Sequence, residues 1–94
     1  LKIHELLTDA SKWTQYTWAR DASGASVLPT NPKAVRWSLA GAADCCYGHD
    51  YPLLHTINML LGSSVGPCQN HEFWQDADGR TFEEVRALVL KLDI

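Results

Sequence analysis

The sequence predicts a mainly α fold: a small single-domain bundle of three to four helices over residues 1–94, with a short β-hairpin or extended segment after the first helix. Three observations predict it. Apolar residues recur at helical spacing in three stretches: Val35/Leu39/Ala42/Cys46, Leu53/Leu54/Ile57/Leu60/Leu61, and Phe82/Val85/Leu88/Val89/Leu92. Each stretch is preceded by a helix start signal: Asn31-Pro32, Asp50 to Pro52, and Thr81 with Glu84 three residues on. The segment from Trp13 to Trp18 is instead aromatic and β-branched, which favours extended backbone.

Leu1 to about Ala10 reads as a weaker first helix, with Ile3, Leu6, Leu7 and Ala10 on one face. Arg20-Asp21-Ala22-Ser23-Gly24 is turn chemistry, so Trp13–Trp18 and Ala25–Leu28 are expected to pair as a hairpin. The second helix should run from Pro32 to about Tyr47, because Pro32 suits a first helical position and forces Asn31 out of the α region. Ala40-Gly41-Ala42-Ala43 would let another helix approach closely, and Gly48 suits a helix end. The third helix should start at Pro52 and stop at Gly62. Ser63 to Glu72 reads as a polar loop around Gly66-Pro67. Asp76-Ala77-Asp78-Gly79 is a second turn, followed by the Thr81/Glu84 capping box of the last helix. Arg80 sits just ahead of that helix, where the macrodipole disfavours positive charge. It is expected to pair with a nearby carboxylate and to lie over the Trp74 ring.

Composition removes several function classes. A formal net charge of −3 without any Lys/Arg cluster argues against nucleic-acid binding. No apolar run approaches the ~18 residues of a membrane span. Three cysteines, two of them adjacent, do not make a secreted disulfide framework, and no signal peptide is readable. A reducing, cytoplasmic setting is expected. Four tryptophans are many for a chain of this length. Most of Trp13, Tyr16, Trp18, Trp37 and Trp74 are expected to pack a core around the second and fourth helices, with Trp37 at the core rim or an interface. The sharper reading turns two or more of them outward as an aromatic surface patch.

Three segments occur in a recognisable order: Trp13 with Ala19-Arg20-Asp21-Ala22-Ser23-Gly24; Ala34-Val35-Arg36-Trp37-Ser38-Leu39-Ala40-Gly41-Ala42; and Trp74-Gln75-Asp76-Ala77-Asp78-Gly79-Arg80-Thr81-Phe82-Glu83-Glu84-Val85. In these the chain resembles a family of short uncharacterised proteins of bacteria, notably actinobacteria, and their phages. That pattern reads Trp-Asn-Asp-x-x-Gly-Arg-Thr-x-x-Glu-Val in its third part and has cysteine where this chain has Ser38. Gln75 stands in place of the pattern's asparagine. The resemblance implies a mostly helical small domain and carries no known activity.

Asp44-Cys45-Cys46-Tyr47-Gly48-His49-Asp50 matches the Cys-Cys-x-x-His-Asp core of secreted phospholipases A2, where the histidine is a general base and the aspartate holds calcium. Against it, Gly48 and Pro52 bracket His49-Asp50 as a loop, and a cysteine expected two residues later is Pro52. Cys45, Cys46, His49, His55, Cys68 and His71 could supply zinc ligands, but no spacing defines four of them. Asp76-x-Asp78-Gly79 fails as an EF-hand loop, since its first and last ligand positions would be Trp74 and Val85.

The reading is therefore a non-catalytic interaction or regulatory protein that needs no cofactor or metal. It is expected to bind a protein partner, or itself as a dimer, through apolar and aromatic surface at Trp18, Trp37, Trp74 and Arg80. The alternative is a metal-dependent hydrolase built on His49 and Asp50.

Overall fold

A computed structural model describes residues 1–66 and 70–94. Pro67 and Cys68, weighed above as a turn residue and a metal ligand, lie outside the described residues. The order is α1 (Ile3–Leu6), a 3-10 turn (Ala10–Lys12), β1 (Ala19–Arg20), β2 (Arg36–Trp37), α2 (Leu39–Tyr47), α3 (Tyr51–Ser64), α4 (His71–Gln75) and α5 (Phe82–Leu92). The fold is mainly α with one short antiparallel strand pair. No helix among the described residues is long and apolar enough to cross a membrane.

The small residues of α2 place it at the centre. Leu39, Ala42 and Ala43 are fully buried and Cys46 nearly so, and α1, α3 and α4 all pack against this one helix. Of the Ala40-Gly41-Ala42-Ala43 run, Gly41, Ala42 and Ala43 are buried inside the fold, while Ala40 is partly exposed. Gly41 receives the backbone of Trp18, whose carbonyl accepts from the Ser38 N–H at 3.1 Å.

α5 follows its sequence signals closely. The Thr81 hydroxyl accepts from the Glu84 N–H at 3.2 Å, and Glu84 Oε1 accepts from the Thr81 N–H at 3.0 Å. Phe82, Val85 and Val89 face the core. Asp93, at φ 53°, ends the helix and pairs with Lys2 at 2.9 Å, which ties the end of α5 to the start of α1. The Ile94 carbonyl accepts from the Ile3 N–H and, at 2.8 Å, from the Tyr47 hydroxyl.

Four expectations need correction. α1 spans Ile3–Leu6 rather than extending to Ala10, because Asp9 caps a separate 3-10 turn by accepting from the Ser11 N–H at 2.9 Å. The strand pair joins Ala19–Arg20 to Arg36–Trp37, not Trp13–Trp18 to Ala25–Leu28. Tyr16 takes φ 70°, which breaks the extended run, and its N–H donates to Asp76 at 3.0 Å. The Asp21–Gly24 turn does form, with Asp21 accepting from the Ser23 and Ala25 N–H groups, but only Ser26 bridges back to Arg20.

α2 begins at Leu39 rather than Pro32. Val35-Arg36-Trp37 has strand character, and Ser38 supplies the cap by accepting from the Gly41 N–H at 3.2 Å. α3 passes Gly62 and ends at Ser64, with the Ser63 and Ser64 hydroxyls donating to the Leu60 carbonyl. Its start is as expected: Asp50 caps it, accepting from the Leu53 N–H at 3.2 Å. Its buried residues are Ile57 and Leu61, and Leu53 and Leu60 face outward.

Arg80 adopts the expected arrangement. Its guanidinium carbon lies 4.0 Å from the centroid of the Trp74 ring, Nε donates to the Trp74 carbonyl at 2.9 Å, and Nη1 pairs with Glu84 at 2.7 Å. The Glu84 carboxylate is exposed, so screening by solvent leaves this pair a minor contribution. Adding the stacking and the carbonyl bond, Arg80→Ala should cost ~1 kcal/mol, which lowers the Tm of a domain this size by about 4–8 °C. Thermal unfolding followed by circular dichroism checks this.

Candidate functional site

The expected site residues do not come together. Trp37 is a core residue, not a surface one: in a strand, side chains alternate, so Arg36 faces solvent and Trp37 turns inward. Its indole donates to the Pro29 carbonyl at 3.0 Å. Trp74 and Arg80 form the stacked pair described above, half-buried and away from the main groove. Of these, Trp18 alone is exposed, at 51% for the residue.

A groove of about 1060 Å³ opens beside Trp18, between α2, α3 and α4. Ala40 and Leu54 supply apolar wall, and Met59, 63% exposed, stands at its rim. A smaller recess of about 230 Å³ adjoins it, sharing Trp18, Ala40 and Glu72 and adding Tyr16 and Asp76. The backbone of Trp18 is fixed against Gly41 while its side chain is free, so a rigid support carries an accessible ring.

α4 closes the groove, and its placement depends on Gln75, which is 1% exposed. Gln75 Oε1 accepts from the Trp13 indole at 2.5 Å and from the Leu39 N–H at 2.9 Å. Its Nε2 donates to the Thr14 carbonyl at 3.1 Å and to Asp76 Oδ1 at 2.8 Å. All of the side-chain amide's main hydrogen-bonding directions are therefore used, joining the 13–15 segment, the α2 N-terminus and the turn after α4. Gln75 and Ser38, the two departures from the resembled pattern, are both buried structural groups at this junction.

His71, 8% exposed, lines the groove from the first turn of α4. Its Nε2 lies 3.0 Å from Asn58 Oδ1, which selects the Nε2–H tautomer. Nδ1 is then a buried acceptor with no partner among the described residues. Burial holds the His71 pKa below the ordinary histidine value, with Glu72 partly opposing. The unfolded chain takes up this proton more readily than the folded one, so stability is complete above about pH 6.5 and falls as pH drops below it. The expected result is a Tm that declines below about pH 6.5 in wild type and declines less in His71→Gln. Asp9, Asp21, Glu84 and Asp93, whose pKa values are lowered by their hydrogen bonds, act only in the carboxylate range, below about pH 4.

The hydrolase residues are not gathered into a centre. His49 and Asp50 lie exposed in the turn between α2 and α3, and the Asp50 carboxylate is engaged as the α3 cap. Burial pushes the Cys46 thiol up to about 11, away from a reactive thiolate. Among the described residues no three His, Cys, Asp or Glu side chains are placed to share an ion.

The exposed Phe73 and Met59 and the groove were not singled out from sequence, and His71 was weighed there only as a zinc ligand. Asn70, a cap three residues before Phe73, is the one local signal that could have revealed α4, since its side chain accepts from the Glu72 N–H at 2.8 Å.

A family model covers residues 1–92, and the chain belongs to that family of unknown function (DUF6197). No curated protein and no solved structure matches it.

Proposed function

We propose that this member of the DUF6197 family is a non-catalytic binding module, of bacterial or phage origin and cytoplasmic, that takes a protein partner in the groove between α2, α3 and α4. The observation that carries this reading is the solvent-exposed Trp18 ring on a fixed backbone, beside exposed Met59, over a groove of about 1060 Å³. Exposed tryptophans next to a concave apolar surface are the typical anchors of protein recognition. The Asp50 carboxylate of the alternative hydrolase segment is engaged as the α3 cap.

Selection of peptides from a random display library against the folded protein tests this, followed by mapping of the selected peptides through backbone amide shifts. Shifts should concentrate at Ala40, Leu54 and Met59, and Trp18→Ala should abolish binding while leaving Tm within about 2 °C, as for a surface substitution. Peptides that map to another face, or that bind Trp18→Ala equally well, overturn it. A concentration-dependent dimer that competes with the peptides would identify a second copy of the chain as the partner and would support the same face.

A further inference from the structure

α4 is fastened at its two ends by different chemistry. Of its five residues only His71 and Gln75 are buried. At the C-terminal end Gln75, an amide that does not titrate, joins the helix to Trp13, Thr14 and Leu39. At the N-terminal end, among the described residues, one side-chain hydrogen bond ties the first turn to another helix: His71 Nε2 to Asn58 Oδ1 of α3, at 3.0 Å. Asn70 bonds only the Glu72 N–H of its own turn, and Phe73 is exposed. A helix this short has no stability of its own, so its first turn stays where the His71 ring is seated.

That seat suits the neutral ring alone. Neutral, His71 donates from Nε2 to Asn58 and carries a bare lone pair on Nδ1. Protonated, it would place a full charge in a buried position and a second N–H, on Nδ1, for which no acceptor stands among the described residues. The ionisable groups that line the groove beside it are Asp44 from α2, His55 from α3 and Glu72 from α4 itself, and none is bonded to the ring. Burial, the larger influence, holds the His71 pKa below the ordinary value, with Glu72 opposing. An imidazole released to water takes up its proton at about pH 6.5. The closed state therefore binds fewer protons than the open one, and opening gains as pH falls below that value.

We propose that α4 is an acid-released clasp: below neutral pH His71 leaves its seat, the first turn of α4 swings away from α3, and Gln75 keeps the other end attached. None of the groups bonded to the Gln75 amide from Trp13, Thr14 and Leu39 ionises in this range, so the opening is local rather than an unfolding of the chain. As α4 is one wall of the groove, the groove is complete only while His71 is neutral. Opening of α4 is independent of what the groove binds.

Backbone amide hydrogen exchange on the full chain, corrected for intrinsic rates and recorded at about pH 7.5 and about pH 5.5, tests this. The Trp74 N–H donates to the Asn70 carbonyl at 3.2 Å across the first turn. Its protection should fall by about three- to tenfold between the two conditions, as an open-state histidine of ordinary pKa requires. The Trp74 value should be insensitive to about 1 M urea, because a local opening exposes little surface, whereas the Val85 and Val89 amides of α5 should lose protection. His71→Gln, neutral throughout, should remove the fall with pH. Asn58→Asp gives the charged ring a carboxylate partner, so the folded-state pKa of His71 is raised and Trp74 protection should hold or rise as pH drops. Protection at Val85 and Val89 shows that each variant is folded. Trp74 protection that is equal at both pH values in wild type, or that follows urea as α5 does, overturns the proposal. So does a fall of wild-type size in His71→Gln or in Asn58→Asp.

Discussion

Gly41→Ala is expected to destabilise the protein by about 3 kcal/mol or more, the combined cost of overpacking and lost hydrogen bonds. In an ordinary helix interior the same change stabilises by about 1 kcal/mol, so the sign itself is diagnostic. The reason is backbone proximity. A Cβ at this position would lie 1.8 Å from the Trp18 carbonyl oxygen and 2.7 Å from its carbon. Neither atom can swing aside as the tip of a side chain can. The 17–19 segment must move away from α2, which breaks the bond from the Ser38 N–H to Trp18 and strains the neighbouring Ala19–Trp37 pairing. A fall in Tm of about 12–24 °C follows from ~4–8 °C for each kcal/mol in a domain of this size. Gly79→Ala is the comparison: its φ is 80° with nothing within 4 Å, so only about 1–2 kcal/mol of backbone strain is at stake. Circular dichroism melts of the two variants separate the effects.

The second large effect is at Gln75. Gln75→Leu keeps roughly the volume but strips an acceptor from the Trp13 indole and the Leu39 N–H, and a donor from the Thr14 carbonyl. Unsatisfied buried groups cost about 1–3 kcal/mol each, so a loss of about 3–5 kcal/mol is expected. It should appear as a lower denaturant midpoint with an unchanged slope. Gln75→Glu makes a sharper test. The introduced carboxyl would face the Thr14 carbonyl and Asp76 where an amide donated before, so its folded-state pKa is raised. A raised folded pKa favours the protonated form, so this variant should recover part of its stability as pH falls toward the carboxylate range.

These two sites show where sequence reasoning reached and where it stopped. α5 and the start of α3 were readable because their signals are local: Thr81 with Glu84 and Asp50 with Pro52 each satisfy backbone groups within one turn. The pairing of Arg80 with Glu84 and Trp74 was readable for the same reason, being confined to the short stretch 74–84 at one helix end. The start of α2 misled because Asn31-Pro32 carries a legitimate cap signal, while the strand at Arg36–Trp37 exists only through its pairing with Ala19–Arg20, far back in the chain. That same misreading turned Trp37 outward. α4 has five residues, too few for a periodic pattern to declare itself. Gln75 reads as a polar turn residue until the fold brings Trp13, Thr14 and Leu39 around it. The groove follows from α4 closing against α2 and α3, so Trp18 could be named from sequence as a surface aromatic but its surroundings could not.

The central claim is that Trp18 is the binding anchor while the other tryptophans hold the fold. The indole N–H region of a nitrogen–proton correlation spectrum, recorded with and without a library-selected peptide, tests it most directly. Trp13 and Trp37 donate to Gln75 and to the Pro29 carbonyl, so their signals should be protected from exchange in the free protein and stay in place on titration. The Trp18 indole has no acceptor among the described residues, so its signal should exchange rapidly when free, then shift and gain protection as peptide is added. A Trp18 signal that stays fixed while the Trp74 or Trp13 indole moves would contradict the account.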